Sequence, residues 1–98
     1  MSKPDKILQW NVNGWRGKLT QIQSLLTNYS PEILALQETK LNYDSKISIK
    51  NFKIYRKDRD ANGGGVALAI TQNLPSRNLL VQTPLEAVAA NVFIKILN

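Results

Sequence analysis

Two short apolar segments of the sequence each end in side chains that can hold a metal ion. Asn11 and Asn13 lie at the end of the first, 7–12, and Glu38 ends the second, 33–38. In an α/β sheet, ligands bind beyond the carboxyl ends of the strands, so two parallel strands would bring these side chains to one edge. A carboxylate with two amides suits an oxygen-preferring cation such as Mg²⁺, which can activate water or neutralise a phosphate. A plainer interpretation stays open, in which Asn13 forms a turn with the next glycine and Glu38 merely ends a strand.

Hydrophobic periodicity predicts the elements that would position these side chains. Segment 7–12 is a short apolar run that ends in Asn-Gly, which is typical of a strand followed by a turn. Apolar residues then recur at helical spacing as far as Ser30-Pro31, where proline disfavours a helix. The helical positions are Leu19, Ile22, Leu25, Leu26 and Tyr29. Segment 33–38 is a second apolar run, so the sequence predicts a βαβ unit with parallel, buried strands.

The second half of the sequence favours antiparallel strands. Residues 52–57 alternate apolar and basic side chains, and the apolar run 66–71 is expected to pair with them across a turn at 60–65. Residues 73–76 are predicted as a loop and 86–96 as a last, long strand. The predicted fold class is therefore α/β, with one helix and about five strands.

Composition excludes several classes of chemistry. The 98 residues include no Cys and no His, which excludes disulfides, thiolate metal sites and catalysis by an imidazole of this chain. No apolar stretch reaches the ~18–20 residues of a membrane span, and the polar N-terminus is unlike a signal peptide, so we expect an intracellular protein with no membrane partner. Thirteen basic residues against seven acidic ones give a formal charge of +6, which favours polyanions such as nucleic acid.

Three blocks of the sequence, taken in order, form a specific pattern: LQWNVNG at 8–14, LQETK at 36–40 and GGGVAL at 63–68. Together they resemble the endonuclease/exonuclease/phosphatase superfamily, which includes the deoxyribonuclease I-like and abasic-site endonucleases. Within it, the chain is most similar to the endonuclease domain at the N-terminus of non-LTR (LINE-like) retrotransposon polyproteins. That closer resemblance is carried by residues 55–59 and 85–89.

The resemblance implies roles for five residues of the chain. Glu38 matches the family's principal metal-ligating carboxylate, which binds Mg²⁺ or Mn²⁺, and Asn11 matches a residue of the catalytic cluster that helps to place metal and phosphate. Asn13 is expected to be a further, weaker ligand, because it lies where abasic-site enzymes have an aspartate. Lys40 is expected to orient or screen Glu38 and to contact nucleic acid. Arg16 corresponds to a residue that contacts DNA phosphate, and plain solvated charge is the alternative for Arg16 and Lys40.

Other features have more than one interpretation. Trp15, beside Arg16, is a candidate for stacking on bases, whereas Trp10 is expected in the core. The three glycines are followed by neither Lys-Ser/Thr nor a helix, so they indicate a hairpin turn rather than a phosphate-binding loop. A basic strand region is either a solvated face or a phosphate-binding flank. Its members are Lys50, Lys53, Arg56, Lys57 and Arg59.

The family's fold is an αββα sandwich of two sheets, and its later strands supply catalytic Asp and His residues. One helix covers only part of one sheet face, so we expect residues 1–98 to form a partial domain, the N-terminal half of that sandwich. The expected function is the N-terminal part of a metal-dependent, target-nicking DNA endonuclease of a reverse-transcriptase polyprotein, nuclear in an active element. This part alone would be inactive and would need the C-terminal half of the domain. The alternatives are a non-catalytic remnant that binds nucleic acid weakly, or a phosphatase branch of the superfamily.

Overall fold

The residues that the structure describes form a four-stranded mixed sheet, one helix and a separate two-stranded sheet. The structure is a computed structural model that describes residues 6–42, 44–58, 64–79 and 89–92. The elements are β1 Ile7–Asn11, α1 Leu19–Tyr29, β2 Ile33–Gln37, β3 Phe52–Lys57, β4 Val66–Thr71, β5 Ser76–Leu79 and β6 Ala89–Val92. The strand order is β1-β2-β4-β3 in the larger sheet, and β5 pairs with β6 in the smaller one. These described ranges hold no helix long and apolar enough to cross a membrane.

The βαβ unit predicted from the first half of the sequence is confirmed. β1 and β2 are parallel and in register from Ile7 opposite Ile33 to Asn11 opposite Gln37. The predicted hairpin is also confirmed, because β3 pairs with β4 in antiparallel fashion. β4 also pairs with β2 in antiparallel fashion, so it lies between β2 and β3 and joins the hairpin to the βαβ unit.

The helix has no side-chain cap at its N-terminus, and local chemistry sets only its C-terminal end. Lys18 precedes it without a side-chain cap, and the Lys18 carbonyl accepts the first helical hydrogen bond, from the Ile22 N–H at 2.9 Å. At the other end Ser30 adopts a left-handed conformation with φ of 47°, and its N–H donates to the Leu26 carbonyl at 2.9 Å. Pro31 follows, and proline disfavours an α conformation in the residue before it, so the helix stops here.

The core lies between α1 and one face of the larger sheet. Ile22 is the side chain of α1 that is fully buried in this core. Leu34 and Leu36 of β2 lie opposite small residues of β4. The other side chains of this core come from the loops and from β4: Val12, Trp15, Leu41, Ile49, Ala67 and Ala69. The loops that follow β1 and β2 therefore contribute directly to the core, which fixes the edge of the sheet where these strands end.

The region after β4 differs from the prediction. The predicted loop is confirmed over 73–75, but an unpredicted strand begins at Ser76 and extends to Leu79. The four residues of β5 do not alternate apolar and polar side chains, and asparagine is depleted in strands, so the sequence does not indicate β5. The predicted last strand over 86–96 is observed as Ala89–Val92, and the remainder of that range lies outside the described residues.

The basic strand predicted around β3 is not uniformly a solvated face. Arg56 donates through Nη2 to the carbonyls of Ser45 and Asn42, and its Nε lies 3.2 Å from Asp58 Oδ2. The Asp58 side chain is almost completely buried, so Arg56 compensates a buried charge and ties the loop after β2 to β3. Arg59 lies outside the described residues.

Replacing Arg56 by glutamine is expected to lower the free energy of unfolding by about 1.5–3 kcal/mol, because it removes charge-assisted hydrogen bonds and leaves Asp58 buried without its partner. Urea denaturation followed by circular dichroism measures the change. The matched control is Lys53→Gln, an exposed position on the same strand, which should leave the midpoint unchanged. Equal midpoints for both variants would contradict a stabilising role of Arg56.

Candidate active site

The candidate site lies at the carboxyl edge of β1 and β2. Pairing continues past the ends of the strands: the N–H groups of Val12, Gly14 and Trp15 donate to three successive carbonyls of the other segment, at 3.0, 2.7 and 2.8 Å. Those carbonyls belong to Gln37, Glu38 and Thr39. The loops after the two strands therefore run side by side, and the side chains they carry are brought together as the sequence predicts.

Asn11 and Glu38 are in direct contact at this edge. The Asn11 Nδ2 donates a hydrogen bond to Glu38 Oε2. The Asn11 Oδ1 in turn accepts the backbone N–H of Asn13 at 3.1 Å. Asn11 is thus fixed at both ends of its amide, and it orients the carboxylate of an exposed glutamate that would otherwise sample many rotamers.

Lys40 approaches Asn13 rather than Glu38. Its Nζ donates to Asn13 Oδ1 at 2.7 Å. An ammonium group has only hydrogens to offer, so the amide oxygen of Asn13 must face it and the amide NH₂ faces away. With its oxygen beside a cationic side chain, Asn13 presents its NH₂ group as a hydrogen-bond donor, and its role as a weaker metal ligand stays a prediction.

The backbone at the site is held in a conformation that most side chains avoid. Asn13, Glu38 and Lys40 have φ angles of 50°, 53° and 54°. Asparagine tolerates the left-handed region, but glutamate and lysine rarely adopt it. Strained residues of this kind persist only where the surroundings fix them, and they cluster at functional sites. Here the three residues all lie at the site, beside Asn11, although Ser30 and Asn51 elsewhere in the described chain also have positive φ.

The donor set fits one hard divalent cation. Glu38 contributes an exposed carboxylate, and no group of three or more His, Cys, Asp or Glu side chains forms a metal cluster within the described ranges. Mg²⁺ commonly binds through one or two carboxylates and keeps several waters, so a single carboxylate steadied by an amide is compatible with it. A rigid, fully protein-ligated metal would not fit this arrangement.

Trp15 lies in the core rather than at the surface, whereas Trp10 packs against the core as predicted. Trp15 is only 8% exposed and belongs to the core, so its ring is covered by protein and is not a surface for base stacking. Trp10 is partly exposed and lines a groove of about 440 Å³ between β1 and α1. The buried indole ring of Trp15 completes the core beneath the site. The sequence did not indicate this burial, because Trp15 lies in a loop. Arg16, next in sequence, is exposed as predicted.

Sequence reasoning missed three residues that shape the site. The Lys18 Nζ donates to the Val12 carbonyl at 2.7 Å and lies 6.0 Å from the centre of the Trp10 ring, which braces the loop after β1. Thr39 is buried beneath Glu38 and Lys40, and Gly65 lies against it. Gly65 directly precedes an apolar strand, which indicated a turn. Its contact with Thr39 was not indicated, because Gly65 and Thr39 lie far apart in sequence.

Comparison with known proteins identifies the family of the chain. The family model described as "Endonuclease/Exonuclease/phosphatase family" matches residues 8–93. No curated protein sequence matches the chain.

Solved structures share the fold. A 3′ phosphatase, NExo from Neisseria, bound to a product DNA hairpin, superposes with a TM-score of 0.71 at 28% identity over 91% of this chain and 38% of its own. The 3′-5′ exonuclease NExo from Neisseria meningitidis gives 0.64 at 28% over 88% and 37%. The AP endonuclease LMAP from Leishmania major gives 0.65 at 23% over 76% and 27%, a likeness of fold alone.

The chain thus spans well under half the length of each of these three proteins. The predicted α/β fold class is confirmed, with the mixed sheet and helix α1 forming part of the fold that these structures share. Since the family model matches almost the whole sequence and runs through both strands that carry the site, the chain belongs to the endonuclease/exonuclease/phosphatase family.

Proposed function

We propose that this chain is the N-terminal part of a divalent-metal-dependent enzyme that hydrolyses phosphodiesters of DNA. The observation that carries the proposal is the Asn11–Glu38 contact at the carboxyl edge of two parallel strands, where a carboxylate is held ready for a hard cation. A family neighbour bound to a DNA hairpin product supports DNA as the substrate class.

Each residue of the site has a distinct part in this proposal. Glu38 holds Mg²⁺ or Mn²⁺, and Asn11 orients Glu38 and is the second candidate ligand. Lys40 fixes Asn13 and contacts a DNA phosphate. When bound, the ion supplies charge neutralisation at the phosphate and an activated water. The amide NH₂ of Asn13 is free of Lys40 and can donate to a phosphate oxygen. Exposed Arg16, in the turn after β1, provides a positive charge for the neighbouring phosphate.

The finer part of the proposal places the chain in the endonuclease domain of a non-LTR retrotransposon polyprotein, which acts at nuclear DNA. Its support is the asparagine at position 13 in place of an acid, together with the 55–59 block before the glycine turn. The 85–89 block also supports it, although residues 85–88 lie outside the described part of the structure.

Completion of the active site by further residues of the domain is part of the same proposal. The chain contains no histidine, and a metal ion held by Glu38 and Asn11 would position only one side of a phosphate. A general base and a second acidic ligand would come from the remaining sequence of a longer protein. We therefore propose that residues 1–98 alone bind metal and DNA without cleaving it.

Two other functions are distinguished by what is bound and cleaved. A non-catalytic nucleic-acid-binding remnant would bind DNA with no dependence on Glu38. A phosphatase branch is favoured by one observation, that a neighbour is described as a 3′ phosphatase, since removing a 3′ phosphate uses the same kind of site. Incubating the longer protein in Mg²⁺ with supercoiled plasmid and with a 3′-phosphorylated oligonucleotide separates nicking from phosphate removal. Cleavage of neither substrate would contradict the proposed activity.

Replacing Arg16 or Lys40 by glutamine is expected to weaken DNA binding in a salt-dependent way. Each phosphate contact that is lost should lower the slope of log K against log salt by about one. Fluorescence anisotropy with a labelled DNA hairpin between low and moderate salt measures the slope.

The control for both variants is Lys53→Gln, which removes an exposed lysine from β3, at the opposite edge of the sheet from β1. That variant should keep the wild-type slope. A wild-type plot that is flat would remove DNA from the proposal, and unchanged slopes for Arg16 and Lys40 would show that the contacts lie elsewhere.

A further inference from the structure

The segment 38–40 is held by backbone hydrogen bonds on both of its sides. On one side it accepts N–H groups from the loop after β1. On the other side the Thr39 N–H donates to the Gly65 carbonyl at 3.2 Å, and the Lys40 N–H donates to the Gly64 carbonyl at 2.7 Å. Gly64 and Gly65, before β4, are therefore hydrogen-bonded directly to the segment that carries the proposed metal ligand.

Thr39 is the inward-facing residue of this segment. It is 1% exposed, whereas its neighbours Glu38 and Lys40 are exposed. A Cβ atom placed on Gly65 would lie 2.5 Å from Thr39 Oγ1, well inside van der Waals contact, and its next neighbours would be at 3.7 Å. Thr39 is thus the group that must move if position 65 carries any side chain.

We propose that Gly65 is a positioning residue for the metal site, because its missing side chain leaves the space in which Thr39 is seated. The inference rests on the proposed function and adds a residue to it. Displacing Thr39 shifts Glu38 before it and Lys40 after it, both already in the left-handed region. The Asn11–Glu38 and Lys40–Asn13 hydrogen bonds are then disturbed together, although neither involves position 65.

The chain offers a matched control for backbone strain. Gly65 has φ of 91° and Gly17 has φ of 76°, so a side chain is strained at either position. At Gly17, however, a Cβ would meet nothing within 4 Å. Gly17→Ala therefore reproduces the strain of a positive φ without the contact with Thr39.

The test is the affinity of the full chain for Mn²⁺, measured from free Mn²⁺ by electron paramagnetic resonance, with thermal melts of each variant. Gly65→Ala is expected to weaken Mn²⁺ binding by about tenfold, the size of effect seen for residues that orient a ligand. Gly17→Ala should bind Mn²⁺ as the wild type does. Wild-type affinity in Gly65→Ala would overturn the inference, and so would an equal loss in Gly17→Ala.

A second substitution separates positioning from general damage. Thr39→Ala removes the contacting atom, so the double variant Gly65→Ala/Thr39→Ala should bind Mn²⁺ with the same affinity as Thr39→Ala alone. Thr39→Val keeps the size of the side chain, so combining it with Gly65→Ala should not restore Mn²⁺ affinity. If Gly65→Ala fails to melt cooperatively, the inference is tested by the thermal melt and the Mn²⁺ affinity of the double variant Gly65→Ala/Thr39→Ala. Recovery of both the melt and Mn²⁺ binding supports the inference, and any lesser recovery overturns it.

Glu38→Gln distinguishes failure of the inference from failure of the proposed function. If this variant loses Mn²⁺ binding while Gly65→Ala keeps it, the metal site stands and the positioning role is wrong. If Glu38→Gln binds Mn²⁺ as the wild type does, the metal site itself is wrong and the positioning role falls with it.

Discussion

Replacing Glu38 by glutamine is expected to weaken Mn²⁺ binding to this chain by at least about a hundredfold, because loss of residues that merely orient a ligand already costs about 10–100-fold. Glu38 is the carboxylate at the candidate site, and its charge is what a hard cation requires. Glutamine keeps the size of the side chain and can still accept a hydrogen bond from Asn11, so the shape of the site is preserved while the charge is removed. The same change in a longer protein with a complete domain should abolish nicking of supercoiled plasmid in Mg²⁺.

The control for this prediction lies at the other end of the same strand. Glu32 immediately precedes β2, and Glu32→Gln removes one negative charge far from the site edge. It should bind Mn²⁺ with wild-type affinity, which shows that a loss in Glu38→Gln is local rather than an effect of net charge. Retained Mn²⁺ binding or retained nicking in Glu38→Gln would refute the assignment of the ligand.

The parts of this site that the sequence predicts are those fixed by strand topology. A short apolar run, a helix and a second apolar run require parallel strands, and parallel strands place their carboxyl ends at one edge. Asn11 and Glu38 are adjacent for that reason alone, and their hydrogen bond follows from the register of Asn11 opposite Gln37. The resemblance to the nuclease family indicated that side chains at this edge bind a metal ion, but it did not indicate their contacts.

The parts that the sequence does not predict depend on contacts through space. Periodicity cannot show that Gly65 lies against Thr39, because the two meet only through the pairing of β2 with β4. It also cannot show that Lys40 turns to Asn13 instead of Glu38, since that depends on backbone angles of single residues. β5 is not predicted for a different reason: its residues show no alternation of apolar and polar side chains, and the pairing with β6 is a contact between distant parts of the sequence.

Trp15 was misassigned because loop residues beside a basic side chain are often surface residues, whereas here the loop after β1 folds over the core. Its backbone N–H donates to the Thr39 carbonyl at 2.8 Å and its own carbonyl accepts the Lys18 N–H at 3.0 Å. The loop is thereby pinned on both sides of the ring. A tryptophan in that position supplies apolar area to the core directly beneath the site, together with Val12 and Leu41.

Trp15→Ala is accordingly expected to lower the free energy of unfolding by about 3–5 kcal/mol, the cost of deleting a buried aromatic ring and leaving a cavity. Small domains have only about 5–15 kcal/mol of stability, so this variant should approach the limit of folding. Urea denaturation followed by circular dichroism measures the change, and Trp15→Phe, which keeps most of the buried area, should lose much less. A base-stacking role predicts the reverse pattern, in which the denaturation midpoint is kept and affinity for a DNA hairpin falls. That outcome would return Trp15 to the surface of the site, and the core position argued above would be wrong.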